Sequence, residues 1–133
     1  MRTTRLQVLR RRYGIEAAPA HNIERIWMMI ESIAVVPTTK GSRYLQQLCK
    51  HWSHDLSVDF TPEAGTVIFP RNARGADWPG DAKLTLQAHD DNLECRLEAS
   101  ADAQLEALKG VVARHLDRFA FREAPLHFAW RNA

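Results

Sequence analysis

The chain has 133 residues, 45% of them hydrophobic and 26% charged, which fits one domain able to bury a core without disulfides or a structural metal. Its apolar runs fall far short of the roughly 20 residues that a membrane helix needs. No apolar segment with a small-residue cleavage site follows the basic start, so neither a transmembrane protein nor a secretory signal is expected. Net charge is +2, but residues 1–30 hold six arginines against Glu16 and Glu24, a balance of +4 that leaves −2 on the remainder. The pattern is a near-neutral domain over residues 30–133 behind a basic leader, 1–29.

The leader admits three readings. Arg10, Arg11 and Arg12 suit an arm that neutralises nucleic-acid phosphates. Ile23, Ile26 and Trp27 suit a short docked helix. Met28 and Met29 stand just before the first strand, which points to a misassigned start. Nucleic-acid binding ranks last, because no second basic patch with interleaved aromatics supports it.

Ile33 to Val36 is a β-branched run closed by Pro37 and reads as a strand. Thr38, Thr39 and Ser42 are N-cap candidates for the helix that follows. In SRYLQQLCKHWSHD, residues Tyr44, Leu45, Leu48, Cys49 and Trp52 share one stripe at 100° per residue, the pattern of an amphipathic helix on a core. Leu56 to Phe60 alternates, Thr61 to Gly65 is turn chemistry, and Thr66 to Phe69 returns as the second arm of a hairpin. Pro70 to Asp81 is polar and interrupted by Gly75, Pro79 and Gly80, so a mobile loop is expected; Arg71, Arg74 and Trp78 could grip an anionic or aromatic ligand there.

Lys83 to Ala88 and Leu93 to Ala99 form a second hairpin about His89–Asn92. Ser100 or Asp102 can cap a second helix whose buried stripe is Leu105, Leu108, Val112, His115, Leu116 and Phe119. Gly110 within it suggests a close approach to the sheet. Ala124-Pro125 breaks this helix, and the alternation of Leu126, Phe128 and Trp130 suggests an edge strand that could bury a homodimer contact. The fold class is α+β: a two-layer sandwich, with an antiparallel sheet of four to six strands built from two hairpins and two helices on one face.

His51, His54 and His115 lie on the two helices and could converge on zinc or iron, although no HExxH-type spacing appears. The bland alternative is packed imidazoles. Asp117, Arg118, Arg122 and Glu123 cluster at the end of the second helix; they suit either an anion or, better, a set of pairs that holds the turn. Cys49 and Cys95 read as core thiols, with neither zinc-knuckle nor CxxC spacing, and a reducing cytoplasm suits them. No nucleophile elbow accompanies the Ser, His and acid residues, so there is no catalytic motif.

Val36-Pro37-Thr38, Arg43-Tyr44-Leu45, Leu48-Cys49-Lys50-His51-Trp52, His54 and the run His115 to Glu123 resemble the family called domain of unknown function 2218, over roughly residues 32–131. The resemblance implies a domain that stands alone or is joined to siderophore-interacting ferric reductases of the flavin type, and hence bacterial, cytoplasmic iron handling. It supplies no catalytic residue. Its motif contains His51, Trp52, His54, His115, Arg118 and Arg122, which become the candidate ligand-binding residues. The leader and the length of the Pro70–Asp81 loop depart from the family pattern.

Two functions follow as expectations. One is a non-catalytic binding or accessory module for an iron chelate or a reductase partner, with a helix-lined pocket that has His51, His115 and Arg122 near its mouth. The other is a small metal-binding protein or metalloenzyme that uses His51, His54 and His115.

Overall fold

The frame is a six-stranded antiparallel sheet in the order β2-β3-β4-β5-β1-β6, seen in a computed structural model that describes residues 29–133. The readings placed on residues 1–28 lie outside the described residues. Strand β1 (Ile30–Pro37) starts three residues earlier than the apolar run suggested, because Glu31 pairs across the strand with Arg96 at 2.7 Å and carries the ladder outward. The other strands are β2 (Ser57–Phe60), β3 (Ala64–Phe69), β4 (Ala82–Ala88), β5 (Asn92–Ala99) and β6 (Arg131–Asn132). The two expected hairpins, β2–β3 and β4–β5, are present, and β1 completes the centre by pairing with β5 from Ile30↔Ala99 to Pro37↔Asn92.

Helix α1 (Gly41–Trp52) crosses from β1 to the far edge of the sheet and rests on β2 to β5. It buries Tyr44, Leu45, Leu48, Cys49 and Trp52, the stripe that the 3.6-residue period defines. Helix α2 (Asp102–Phe119) lies on β5 and β1 and touches α1. Alternate strand residues, among them Leu84, Leu86, Leu93, Cys95 and Leu97, are fully buried with Leu45, Leu48, Val112 and Leu116 in one core. The opposite sheet face carries cross-strand charge pairs, Glu31 with Arg96 and Lys83 with Glu98 at 3.6 Å.

Helix capping differs from the hydroxyl caps that the sequence suggested. Neither Lys40 nor Ala101, the residues at the two N-caps, makes a side-chain cap bond. Thr38 instead accepts the Lys40 N–H at 3.1 Å, and Ser42 donates to the Pro62 carbonyl at 2.6 Å, tying α1 to the first hairpin. The tail also differs. Asp117 accepts the Leu126 N–H at 2.8 Å, which holds residues 126–130 over α2, so only Arg131–Asn132 reach the β1 edge. Phe128 and Trp130 stack at 5.9 Å and pack against this chain's own core.

Two glycines settle how closely the layers approach. A Cβ on Gly65 would sit 2.8 Å from the Cys49 sulfur, so α1 rests on β3 at a distance that only glycine allows. Gly110 has another role than close sheet packing: among the described residues a Cβ there would meet only the Arg114 guanidinium, at 2.9 Å. We expect Gly65→Ala to cost about 1–3 kcal/mol through overpacking, and Cys49→Ala in the same chain to restore part of that loss. Urea unfolding of the two single variants and the double variant checks this; strictly additive losses would contradict the contact. Gly110→Ala should stabilise by about 0.5–1 kcal/mol, because the flexible Arg114 end can move aside while helix propensity improves; a lower urea midpoint would contradict it.

Candidate ligand pocket between the helices and the long loop

At the C-terminal end of α1, Trp52 is only 6% exposed and meets two partners. Its ring stands edge-on to Phe69 of β3 at 5.2 Å and 82°, and lies 5.0 Å from His115 of α2. One indole thus joins both helices to the sheet. Edge-to-face aromatic pairs of this kind contribute about 0.5–1.5 kcal/mol beyond their buried area.

The loop between β3 and β4 folds on itself rather than hanging free. Arg71 donates from its backbone to Asp81 at 2.8 Å, and from its guanidinium to Asp77 at 3.0 Å and the Trp78 carbonyl at 3.3 Å. The Trp78 N–H returns a bond to the Arg71 carbonyl at 3.0 Å. Arg74 has φ 55, a left-handed conformation that costs a non-glycine residue of order 1 kcal/mol, and Gly75 follows at φ 79. At its far end the loop is anchored in the core. Gln104, 1% exposed, accepts from the Ser100 hydroxyl at 2.6 Å and the Ser100 N–H at 2.7 Å, and donates to the Gly80 carbonyl at 3.0 Å. This closed network satisfies every polar group it buries.

Loop and helices together enclose a cavity of about 550 Å³. Its apolar wall includes Trp52, Phe69, Trp78 and Leu108, and its polar groups include Arg74, Arg114, His115 and Asp55. Size and lining match those of small-molecule sites, apolar walls with a few convergent polar groups. Among the described residues neither arginine forms an ion pair, Asp55 included. His115 has its Nδ1 2.7 Å from the Val111 carbonyl. A carbonyl can only accept, so Nδ1 carries the proton, and in the neutral form of the ring Nε2 is an acceptor.

Of the residues singled out in the sequence, His51, Trp52 and His115 come together, with the two imidazole centroids 5.6 Å apart. His51 is solvent-exposed and also meets the Phe119 ring at 5.9 Å, but it is not part of the cavity lining. The three-imidazole centre is not assembled: α1 ends at Trp52, so His54 lies exposed in the turn, where helical spacing no longer applies. Among the described residues no group of three His, Cys, Asp or Glu side chains is placed to hold a metal ion. Arg118 is exposed. Arg122 stands apart from the cavity, in a hollow of about 110 Å³ with Lys40, Arg43, Tyr44, Phe119 and Phe121.

The acids of the α2 terminus hold the turn. Asp117 takes the Leu126 amide, while the Glu123 carboxylate accepts from the Thr38 hydroxyl at 3.1 Å and from the Tyr44 hydroxyl. Sequence reasoning named all three of these last residues without joining them, because 79 and 85 positions separate the partners. Tyr44 is raised above the usual phenol value by burial first, then by its bond to Glu123 and that carboxylate's charge. Burial pushes the Cys49 thiol up to about 11, and burial with the nearby Glu94 pushes Cys95 up to about 12. Both thiols are fully buried and reduced, and neither offers a thiolate near neutral pH.

A family model described as an uncharacterized protein conserved in bacteria (DUF2218) matches residues 33–131, from β1 to β6. Among solved structures, the NMR structure of PA4090 from Pseudomonas aeruginosa is similar, with 34% identity and a TM-score of 0.61 over 77% of this chain and 95% of that one. No curated protein matches the chain.

The raised thiols and phenol make the fold sensitive to alkali. Each is protonated in the folded state above its ordinary value, 9.0 for the thiols and 10.0 for the phenol, so the unfolded chain releases its protons first. Their contribution is full below pH 9.0 and is lost as pH climbs through about 11 and about 12. Urea midpoints should hold steady to about pH 8.5 and fall by about pH 10.5. Tyr44→Phe should cost about 1 kcal/mol near neutral pH and fall less steeply at the alkaline end; an unchanged alkaline slope would contradict the Tyr44–Glu123 coupling.

Proposed function

This chain belongs to the DUF2218 family of uncharacterized proteins conserved in bacteria, and from that premise we propose that it is a non-catalytic binding module of siderophore-linked iron handling, which takes an iron chelate into the cavity between α1, α2 and the β3–β4 loop. The observation that carries this reading is the lining of that cavity: two tryptophans and a phenylalanine beside two arginines that have no ion-pair partner among the described residues. Aromatic walls suit the flat rings of aryl chelators, and guanidinium groups suit the negative charge that oxygen-rich ferric complexes carry. A cavity of about 550 Å³ is large enough for a chelate of two or three such rings. The iron context rests on the resemblance to domains joined to ferric reductases, and a flavin-type ferric reductase is the partner proposed to receive the chelate.

Equilibrium dialysis of the full chain against ferric tris(catecholate), with metal-free catechol and ferric citrate alongside, tests the proposal. Saturable one-to-one binding of the ferric aryl complex is expected, weakened at least about tenfold by Trp78→Ala and by Arg114→Gln and unchanged by Lys50→Ala, which lies outside the cavity. Failure of every chelate to bind saturably, or equal loss in the Lys50 variant, would overturn it.

A further inference from the structure

The cavity holds three kinds of recognition group, and together they narrow the ligand further. We infer that its anchoring unit is a hydroxylated aromatic carboxylate, with the ring between Trp52, Phe69 and Trp78, the carboxylate toward Arg74 and Arg114, and a phenolic hydroxyl donating to Nε2 of His115. This rests on the cavity being the binding site, as proposed above, but not on the presence of iron.

Each feature removes a class of ligand. The three rings disfavour aliphatic acids, which cannot stack. Two guanidiniums against the single carboxylate of Asp55 give the lining a surplus of positive charge, which suits a carboxylate on the ligand. A guanidinium fork also matches the planar carboxylate bidentately. His115 supplies the sharpest restriction. Its Nδ1 is engaged by the Val111 carbonyl at 2.7 Å, and Nε2 has no hydrogen-bond partner among the described residues. A half-buried acceptor in that state discriminates strongly between a ligand that brings a donor and the analogue that lacks one. A phenolic O–H is such a donor on an aromatic acid. Because about 550 Å³ exceeds the volume of one ring, the rest of a larger molecule can extend from this unit.

Amide and indole N–H signals of the full chain, followed by NMR during titration with benzoate, phenol and the three hydroxybenzoate isomers, test the inference. The best hydroxybenzoate should shift the Trp52 and Trp78 indole signals and bind at least about tenfold tighter than benzoate. In His115→Phe, which keeps a ring against Trp52 but loses the acceptor, that advantage should shrink to within about twofold. In Arg114→Gln, an exposed position, both acids should weaken about tenfold while phenol is unaffected. Equal binding of benzoate and every hydroxybenzoate, or an advantage retained in His115→Phe, overturns the ligand class and leaves the cavity as a binding site. Absence of any shift at Trp52 or Trp78 with all five compounds overturns both.

Discussion

The contact of Trp52 with Phe69 on one side and His115 on the other is the point on which the rest of the structure depends. Helix α1 rests on β2 to β5 and touches α2, and the indole near its C-terminal end is where α1, α2 and β3 meet. It fills the core on one side and forms a wall of the cavity on the other. Packing and site geometry are therefore coupled, because a side chain fixed by the sheet sets the position of an imidazole available to a ligand.

The opposite wall is held by polar rather than apolar contacts. Arg71 draws Asp77, Trp78 and Asp81 into one folded loop, and the Gly80–Ser100–Gln104 network pins that loop to the start of α2. Individually the exposed Arg71 contacts contribute little, whereas the Gly80–Ser100–Gln104 network is buried at Ser100 and Gln104. Here they act on a segment whose ends are already fixed by β3 and β4, so little chain entropy remains for them to overcome. The result is a rigid wall from the sheet and a lighter one from the loop, an arrangement in which a ligand can enter without disturbing the core.

The helical stripe of α1 and both hairpins were legible in the sequence because each is written in a local period, 3.6 residues for Tyr44 to Trp52 and two residues for Leu84 to Ala99. What local periods do not encode was not legible. Gln104 sits on the buried face of α2 in place of an apolar residue, and its reason is Gly80, 24 positions away. Glu123 meets Thr38 and Tyr44 across most of the chain. The convergence of the histidine trio needs the helix to carry on through His54; it ends at Trp52, so His54 lies in the turn, while His51 and His115 meet. Arg74 and Trp78 were recognised as a possible grip for a ligand, but the folding of their loop depends on Arg71 reaching acids six and ten residues on. The six-residue spacing of Arg71 and Asp77 is the signal for the ion pair, whereas Asp81 takes the backbone amide of Arg71, which no charge pattern marks.

The functional account turns on the chemical state of His115, which the Val111 carbonyl sets. Long-range proton–nitrogen NMR of the imidazole distinguishes the two neutral tautomers directly, at a pH about two units above the ordinary histidine value. The account predicts that His115 carries its proton on Nδ1 and leaves Nε2 bare. A proton on Nε2 would contradict it, because the ring would then bring a donor where the proposed ligand requires an acceptor.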